Sequence, residues 1–344
     1  MDPWPAIAMS DRLLLVLVIV GVALAFDFLN GFHDAANSVA TVVATRVLTP
    51  LQAVIWAAFF NFVSAFSFGT GVAKTVGKGM VDLSSVTPYV ILCGLVGAVF
   101  WDLITWWFGL PTSSSHALFG GYAGAAIARA SSFHVLIWSG WIKTILFMAL
   151  APLIGLIAAH IFMTAVYWLF QSSSPKKMDI YFRKLQLLSA AAFSYSHGTN
   201  DAQKTMGIIT GVLVATKYLK TFEVPIWVIL SAHAAIGLGT MSGGWRIVHT
   251  MGSRITKLKP RGGFCAETAA ATSILLATFM GVGVSTTHVI TGAIAGVGSI
   301  QRVKAVRWGV AANIAWAWIL TIPAAALMSW VTYSLFFSWG LDAR

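Results

Sequence analysis

Residues 31–41 read GFHDAANSVAT, and they follow an apolar run from Leu13 to Phe26. Asp27, His33, Asp34 and Asn37 therefore fall within eleven residues at the end of a hydrocarbon segment. An Asp at the centre of a membrane helix costs roughly 2.5–3.5 kcal/mol. Either this segment lies outside the bilayer or its polar atoms have a task inside it. A second stretch bears on the choice. Residues 198–206 read GTNDAQKTM and repeat the glycine with Asp-Ala three places on. One isolated Asp at a helix end is unremarkable, but two at matched places point to a cavity or an ion path.

The match extends along the chain. PTSSSHALFGGYAGA (111–125) is answered by VSTTHVITGAIAGV (284–297), each with a hydroxyl run, a His, and glycines four and eight positions beyond that His. WIKT (141–144) is answered by WILT (318–321). The offset grows only from 167 residues (Gly31 to Gly198) to 177 (Trp141 to Trp318). Three landmarks in one order describe an internal duplication. The polar stretch 171–184, QSSSPKKMDIYFRK, lies between the copies. The expected organisation is a first transmembrane repeat over 1–170, a cytoplasmic linker over 171–184 and a second transmembrane repeat over 185–344.

Composition sets the class. Of 344 residues, 58% are hydrophobic and 10% charged, against roughly 25% charged in soluble domains. Apolar runs at 13–26, 51–66, 89–101, 145–170, 224–238, 269–284 and 305–337 approach or reach the ~20 residues of a spanning helix. A polytopic, multi-pass protein of the plasma (inner) membrane follows, with the lipid bilayer as its surroundings and about nine to twelve crossings by the length rule. The net charge of +11 fits cytoplasmic loops rich in Lys and Arg better than nucleic acid. Lys176, Lys177, Arg183 and Lys184 form one such stretch, and Arg246, Arg254, Lys257, Lys259 and Arg261 another. The N-terminal segment sets Asp2 and Asp11 against Arg12 and shows no positive bias. Arg12, the run behind it and Ala23-Leu24-Ala25 loosely match a signal peptide, but the first helix has a partner in the second copy and is expected to stay. An outside start with an inside linker makes the copies an inverted-topology internal repeat. The fold class is all-α, with broken and re-entrant helices. Cys93 and Cys265 show no metal or redox spacing and read as buried free thiols.

The motifs suggest chemistry. Gly31 and Gly198 would permit helix breaks, freeing backbone oxygens that are tolerable only where they line a cavity. With Asp34, Asn37, Asn200 and Asp201 these would make an oxygen site for Na⁺, or hold a proton; Ser38 and Thr205 could add hydroxyls. Thr112, Ser113 and Ser114, and Ser285 and Thr286, read as helix N-termini, where Ser and Thr cap and free N–H groups bind phosphate or carboxylate. The two ends together would cage a tetrahedral oxyanion. Lys204, three residues after Asp201, shares its helix face and would pair with it or face the anion. His33, His116, His197 and His288 adjoin the motifs and could relay protons. Gly120/Gly124 and Gly292/Gly296 are spaced for close helix packing. A doubly charged anion moving against an interior-negative potential is opposed by ~2.3 kcal/mol per charge per 100 mV. Acidic sites beside an anion cage therefore describe a symporter. An intramembrane enzyme built on Ser115-His116 is disfavoured, because adjacent helical residues do not face each other. A passive anion channel would not need the carboxylates.

Together NGFHDAANSVATVVATR (30–46), LPTSSSHALFGG (110–121), SHGTNDAQKTMG (196–207) and VSTTHV (284–289) resemble the inorganic phosphate transporter (PiT) family, over residues 26 to 323. The resemblance implies an inverted-repeat symporter of inorganic phosphate driven by Na⁺ or H⁺, with no catalytic residues and no cofactor beyond the coupling cation. It places phosphate at Thr112–Ser114 and Ser285–Thr286, and the cation at Asp34, Asn37, Asn200 and Asp201. His33 stands where Na⁺-type members often have Asn, and members with His there are usually proton-coupled, some carrying phosphate as a neutral metal complex. The family also contains sulfate carriers. The long insert found between the halves of many relatives is lacking here. Oligomeric state stays open, a homo-oligomer included.

Overall fold

A computed structural model describes residues 9–66, 69–82 and 85–340. Asp2, on which the N-terminal charge reading partly rests, lies outside the described residues, as do the outer limits of the two repeats. Among the described residues the regular structure is helical, apart from an isolated bridge between Val81 and Leu136. Twelve α-helices follow in order: α1 (Met9–Ala44), α2 (Pro50–Val63), α3 (Gly71–Gly79), α4 (Pro88–Phe108), α5 (Ser114–Ala130), α6 (Trp138–Leu169), α7 (Pro175–Ala215), α8 (Ile226–Ser242), α9 (Trp245–His249), α10 (Pro260–Phe279), α11 (Thr286–Gln301) and α12 (Trp308–Ser338).

Five of these, α1, α4, α6, α10 and α12, are long and apolar enough to cross a membrane. The bent pairs α2–α3 (87°) and α8–α9 with the π-turn behind it (63°) bring the number to seven, below the nine to twelve expected. The shortfall has physical causes. Helices α5 and α11 are short, at 17 and 16 residues. Helix α7 is long enough, with 41 residues, but its middle carries buried His197, Asn200, Asp201, Gln203 and Lys204. The exterior is reversed in character. Ile145, Leu153, Ile157 and Ile161 of α6 and Trp316, Ile319, Leu320 and Leu327 of α12 are exposed, as lipid requires, while Trp107, Trp138, Trp168, Trp227, Trp308 and Trp339 sit exposed near helix ends, the places where Trp anchors at an interface.

One expectation fails. Helices α1 and α7 run unbroken through Gly31 and Gly198, so no backbone oxygens are freed there. The glycines serve packing. A Cβ on Gly31 would collide with the Ile236 carbonyl of α8, and one on Gly198 with Asn61 and Ser64 at the end of α2. The bends fall instead between α2 and α3 and between α8 and α9. The 171–184 stretch is also largely helix, since Ser174 caps α7 and Pro175 opens it. The two basic stretches meet at one end of the molecule, where Lys176, Lys259 and Arg261 line a common cleft with Asp179. Cys93 and Cys265 are buried and neither is in a disulfide.

The glycine pairs hold the halves together reciprocally. Gly120 and Gly124 of α5 lie against the Ile322 and Ala326 carbonyls of α12. Gly292 and Gly296 of α11 lie against the Pro152 and Leu156 carbonyls of α6. In each case a short helix presses its backbone on a long helix carrying an internal proline, Pro323 in α12 and Pro152 in α6. The preceding turns match too. Gly109 (φ 65°) follows α4 and Gly281 (φ 69°) follows α10, in the left-handed region where glycine carries no Cβ penalty. Each turn sends the chain back into a hydroxyl-capped helix. Gly124→Ala and Gly292→Ala should each destabilise the fold by about 1–3 kcal/mol through overpacking against backbone, seen as a lower unfolding temperature in detergent; an unchanged transition would show that these seams are loose.

Candidate functional site

The starts of α5 and α11 come together. Ser113 and Ser285 are their N-caps, accepting from the His116 and His288 amides at 3.3 Å each. These serine oxygens are thus engaged by their own helices, and the N–H groups of the two residues after each cap have no acceptor within the helix. The ring centroids of His116 and His288 are 4.9 Å apart, and His288 stacks on Trp318 at 3.8 Å. The Trp318 indole N–H donates to the Pro111 carbonyl at 2.9 Å, fixing the turn before the first hydroxyl run against the second half.

Lys204 of α7 ties both tips. Its Nζ donates to Asp201 Oδ1 at 2.6 Å, to the Ser115 hydroxyl, and to the Val284 carbonyl at 2.9 Å. An ammonium has three donors, and all three are used. The pairing with Asp201 read from the sequence is present, and no N–H of Lys204 is spare in this arrangement.

Asp34 of α1 and Asp201 of α7 converge on His197, whose Nε2 is 3.7 Å from Asp34 Oδ2 and 3.4 Å from Asp201 Oδ2. Thr286, at the α11 tip, donates toward both acids, 3.4 Å to Asp34 Oδ2 and 3.3 Å to Asp201 Oδ2. Thr287 adds a contact to Asp34 Oδ1 at 3.3 Å, and Asn37 donates to the Thr287 hydroxyl at 2.8 Å. Asp34, His197 and Asp201 each offer one ligand atom, all within 4.8 Å of one another. His33 lies on the other side of Asp34. Its Nδ1 is 3.2 Å from Asp34 Oδ1 and its Nε2 is 3.1 Å from Thr105 and 3.4 Å from Thr112. Thr112 thus touches the acid cluster through His33. Ser114 is buried and lies against Asp102 of α4.

Asn200 is placed differently. Its amide N–H groups reach Thr278 (2.8 Å) and the Val282 carbonyl (3.3 Å), and its Oδ1 accepts from the Val284 amide at 3.3 Å. It grips the connection into α11 and its polar atoms are engaged away from the acid pair. Sequence reasoning named His197 only as a possible proton relay beside its motif, and left Ser115, Thr287, Thr105 and Asp102 out of the binding residues. His197 precedes Asp201 by four residues, a spacing that shares a helix face and was open to reading. Thr105 and Asp102 carry no such signal inside the α4 run. Glu267 was also unforeseen. It accepts from Thr41, Gln186 (3.0 Å) and Ser189 and so knits α1, α7 and α10 beside the site.

Charge is uneven here. Among the described residues the buried carboxylates are Asp27, Asp34, Asp102, Asp201 and Glu267, and the one buried ammonium is Lys204. Isolated charges in such surroundings are unstable, so this core is built to receive positive charge.

A family model described as "Phosphate transporter family" matches residues 30–329. The chain belongs to this phosphate transporter family. A protein of Rhizobium meliloti (strain 1021) named "Probable low-affinity inorganic phosphate transporter" is 54% identical over 320 residues, covering 93% of this chain and 96% of its own. A Bacillus subtilis (strain 168) protein of the same name is 46% identical, covering 94% and 98%. A solved structure described as "The sodium-dependent phosphate transporter" superposes with a TM-score of 0.86 at 26% identity, covering 94% of this chain and 99% of that one. These relatives are transporters and not enzymes, and with its apolar helices the chain is a multi-pass membrane protein.

Removing the ammonium in Lys204→Met leaves Asp201 buried with only Thr286 and His197 beside it, and should cost about 3–5 kcal/mol, read as a fall in unfolding temperature in detergent. The Lys204→Met/Asp201→Asn pair should recover most of it. A single mutant as stable as the parent would mean the pair is not a structural tie.

Proposed function

We propose that the chain is a secondary active symporter that moves inorganic phosphate together with a cation, H⁺ or Na⁺. The observation that carries this is Thr286. One hydroxyl at the α11 tip reaches both Asp34 and Asp201, so the expected anion end and the expected cation end share an atom. Phosphate would be held by the first-turn N–H groups and hydroxyls of α5 and α11, from Thr112, Ser113, Ser114, Ser285 and Thr286, with Lys204 supplying positive charge from behind. The cation would be held at Asp34 and Asp201 with His197, while Asn37 and Asn200 position the α11 tip and His33 orients Asp34. Two carboxylates beside the tips repel phosphate when bare and stop doing so once a cation neutralises them. Carrier movement with one cargo alone is then disfavoured, which is coupling.

The reciprocal packing of α5 on α12 and α11 on α6 supports reading 1–170 and 185–344 as an inverted repeat about the 171–184 connection, with α4–α5 and α10–α11 as re-entrant hairpins. The shared basic end supports placing that connection in the cytoplasm.

Uptake of labelled phosphate into proteoliposomes, under separate pH and Na⁺ gradients, tests the proposal. Accumulation above equilibrium is expected under one of the gradients and should be lost in Asp34→Asn and in Asp201→Asn. Ser113→Ala with Ser285→Ala should raise the KM for phosphate and, since each removes a cap, lower stability by about 1 kcal/mol per site. Equilibration without accumulation would indicate a channel, full competition by sulfate a broader oxyanion carrier, and wild-type accumulation by the doubly substituted Asp34→Asn/Asp201→Asn chain would refute the coupling assignment.

A further inference from the structure

Two helical turns before Asp34, the same helix carries Asp27, which no part of the foregoing mechanism uses. Its side chain is fully buried, and neither carboxylate oxygen has a hydrogen-bond partner among the described residues. Asn30, one turn further along α1, and Thr205, one turn beyond Asp201 on α7, lie against it close enough to turn a hydrogen toward it, but without the geometry of a made hydrogen bond. Asn30 Oδ1 and Thr205 Oγ1 are themselves without a partner, at 2% and 1% exposure. Four buried oxygens thus share one patch between α1 and α7 with no fixed charge to answer them. The nearest charged groups are Asp201 and Lys204, and those two are paired with each other at 2.6 Å.

The donor set limits the ligand. It has no sulfur and no imidazole, which excludes the usual transition-metal donors. It carries one negative charge, so a monovalent cation neutralises it and a divalent one would leave excess positive charge beside Lys204. Asp102, the other carboxylate without a hydrogen bond, lies by His33 and Ser114 and belongs to the site already described. The patch is also peculiar to one half. At the offset that aligns Gly31 with Gly198, Asp27 and Asn30 correspond to Ser194 and His197. Ser194 is satisfied by the Ala190 carbonyl at 2.9 Å, so the second half has no equivalent carboxylate.

We propose that Asp27, Asn30 and Thr205 form a second monovalent-cation site, for a proton or Na⁺, whose ion travels with each phosphate in addition to the one at Asp34 and Asp201. This rests on the reading of the chain as a cation-coupled phosphate carrier. It makes the number of cations per phosphate depend on Asp27, a residue outside the phosphate tips.

The test uses the full chain in proteoliposomes. The cation-to-phosphate ratio is taken from the membrane potential that just stops net phosphate flux at fixed gradients. Asp27→Asn should lower that ratio by one while phosphate exchange between equal concentrations on both sides persists. Two arms identify the ion, one varying Na⁺ at constant pH and one varying pH without Na⁺; the arm whose dependence weakens in Asp27→Asn names it. Thr205→Val should raise the half-saturating concentration of that ion about tenfold, the loss of one oxygen ligand. An Asp27→Asn protein with the parent's ratio and the parent's response in both arms overturns the site. Should that variant fail to insert, or fail in exchange too, Thr205→Val decides, with an unshifted half-saturation overturning it. A parent chain that concentrates phosphate under neither gradient overturns the carrier reading and this site with it.

Discussion

One buried ammonium among five buried carboxylates, counted over the described residues, is the constraint from which the interior follows. Lys204 meets Asp201 directly and, with its remaining protons, fastens Ser115 and the Val284 carbonyl, so a single side chain joins the starts of α5 and α11 to the middle of α7. Glu267 is answered by three donors from two other helices. The other acids have only hydroxyls, an amide or imidazoles beside them. Acids at this depth stay charged only where positive charge answers them, and otherwise hold a proton.

The scaffold around this core obeys a second limit. In lipid there is no hydrophobic force between helices, so close contact must come from small residues and backbone apposition. The glycines of α5 and α11 meet carbonyls on α12 and α6, and Gly31 and Gly198 meet α8 and the end of α2. Polar side chains then lie between backbones that cannot easily part. The hydroxyl tips are held at their far ends by glycine seams and at their near ends by Lys204, Asn37 and Asn200.

Much of this was legible in the chain. Apolar runs marked the seven helical segments that carry most of the hydrocarbon, the duplicated motifs named the acids and the tips, and Asp201 with Lys204 lay at a pairing distance along one helix. What was hidden depended on tertiary approach. Gly31 looked like a break because a glycine next to polar residues reads as a loop, yet its missing side chain is filled by a neighbouring carbonyl. Asn200 looked like a ligand because amide oxygens suit cations, yet its amide is consumed by the turn into α11. Asp102 and Glu267 border the apolar runs 89–101 and 269–284 with no motif, and only the fold shows which helices they face.

The crossed arrangement of the glycine seams bears on how the chain is made. Helix α5 is seated on residues 322 to 326, which emerge from the ribosome some two hundred residues later. Until then its bare backbone face and its capped tip have no cradle, and α6 likewise waits for α11. The halves cannot mature in turn as separate units. The early helices must be held loosely in the bilayer, their polar groups shielded by water, neighbouring headgroups or the insertion machinery, and the acid-lined centre closes only when the last helix threads into place.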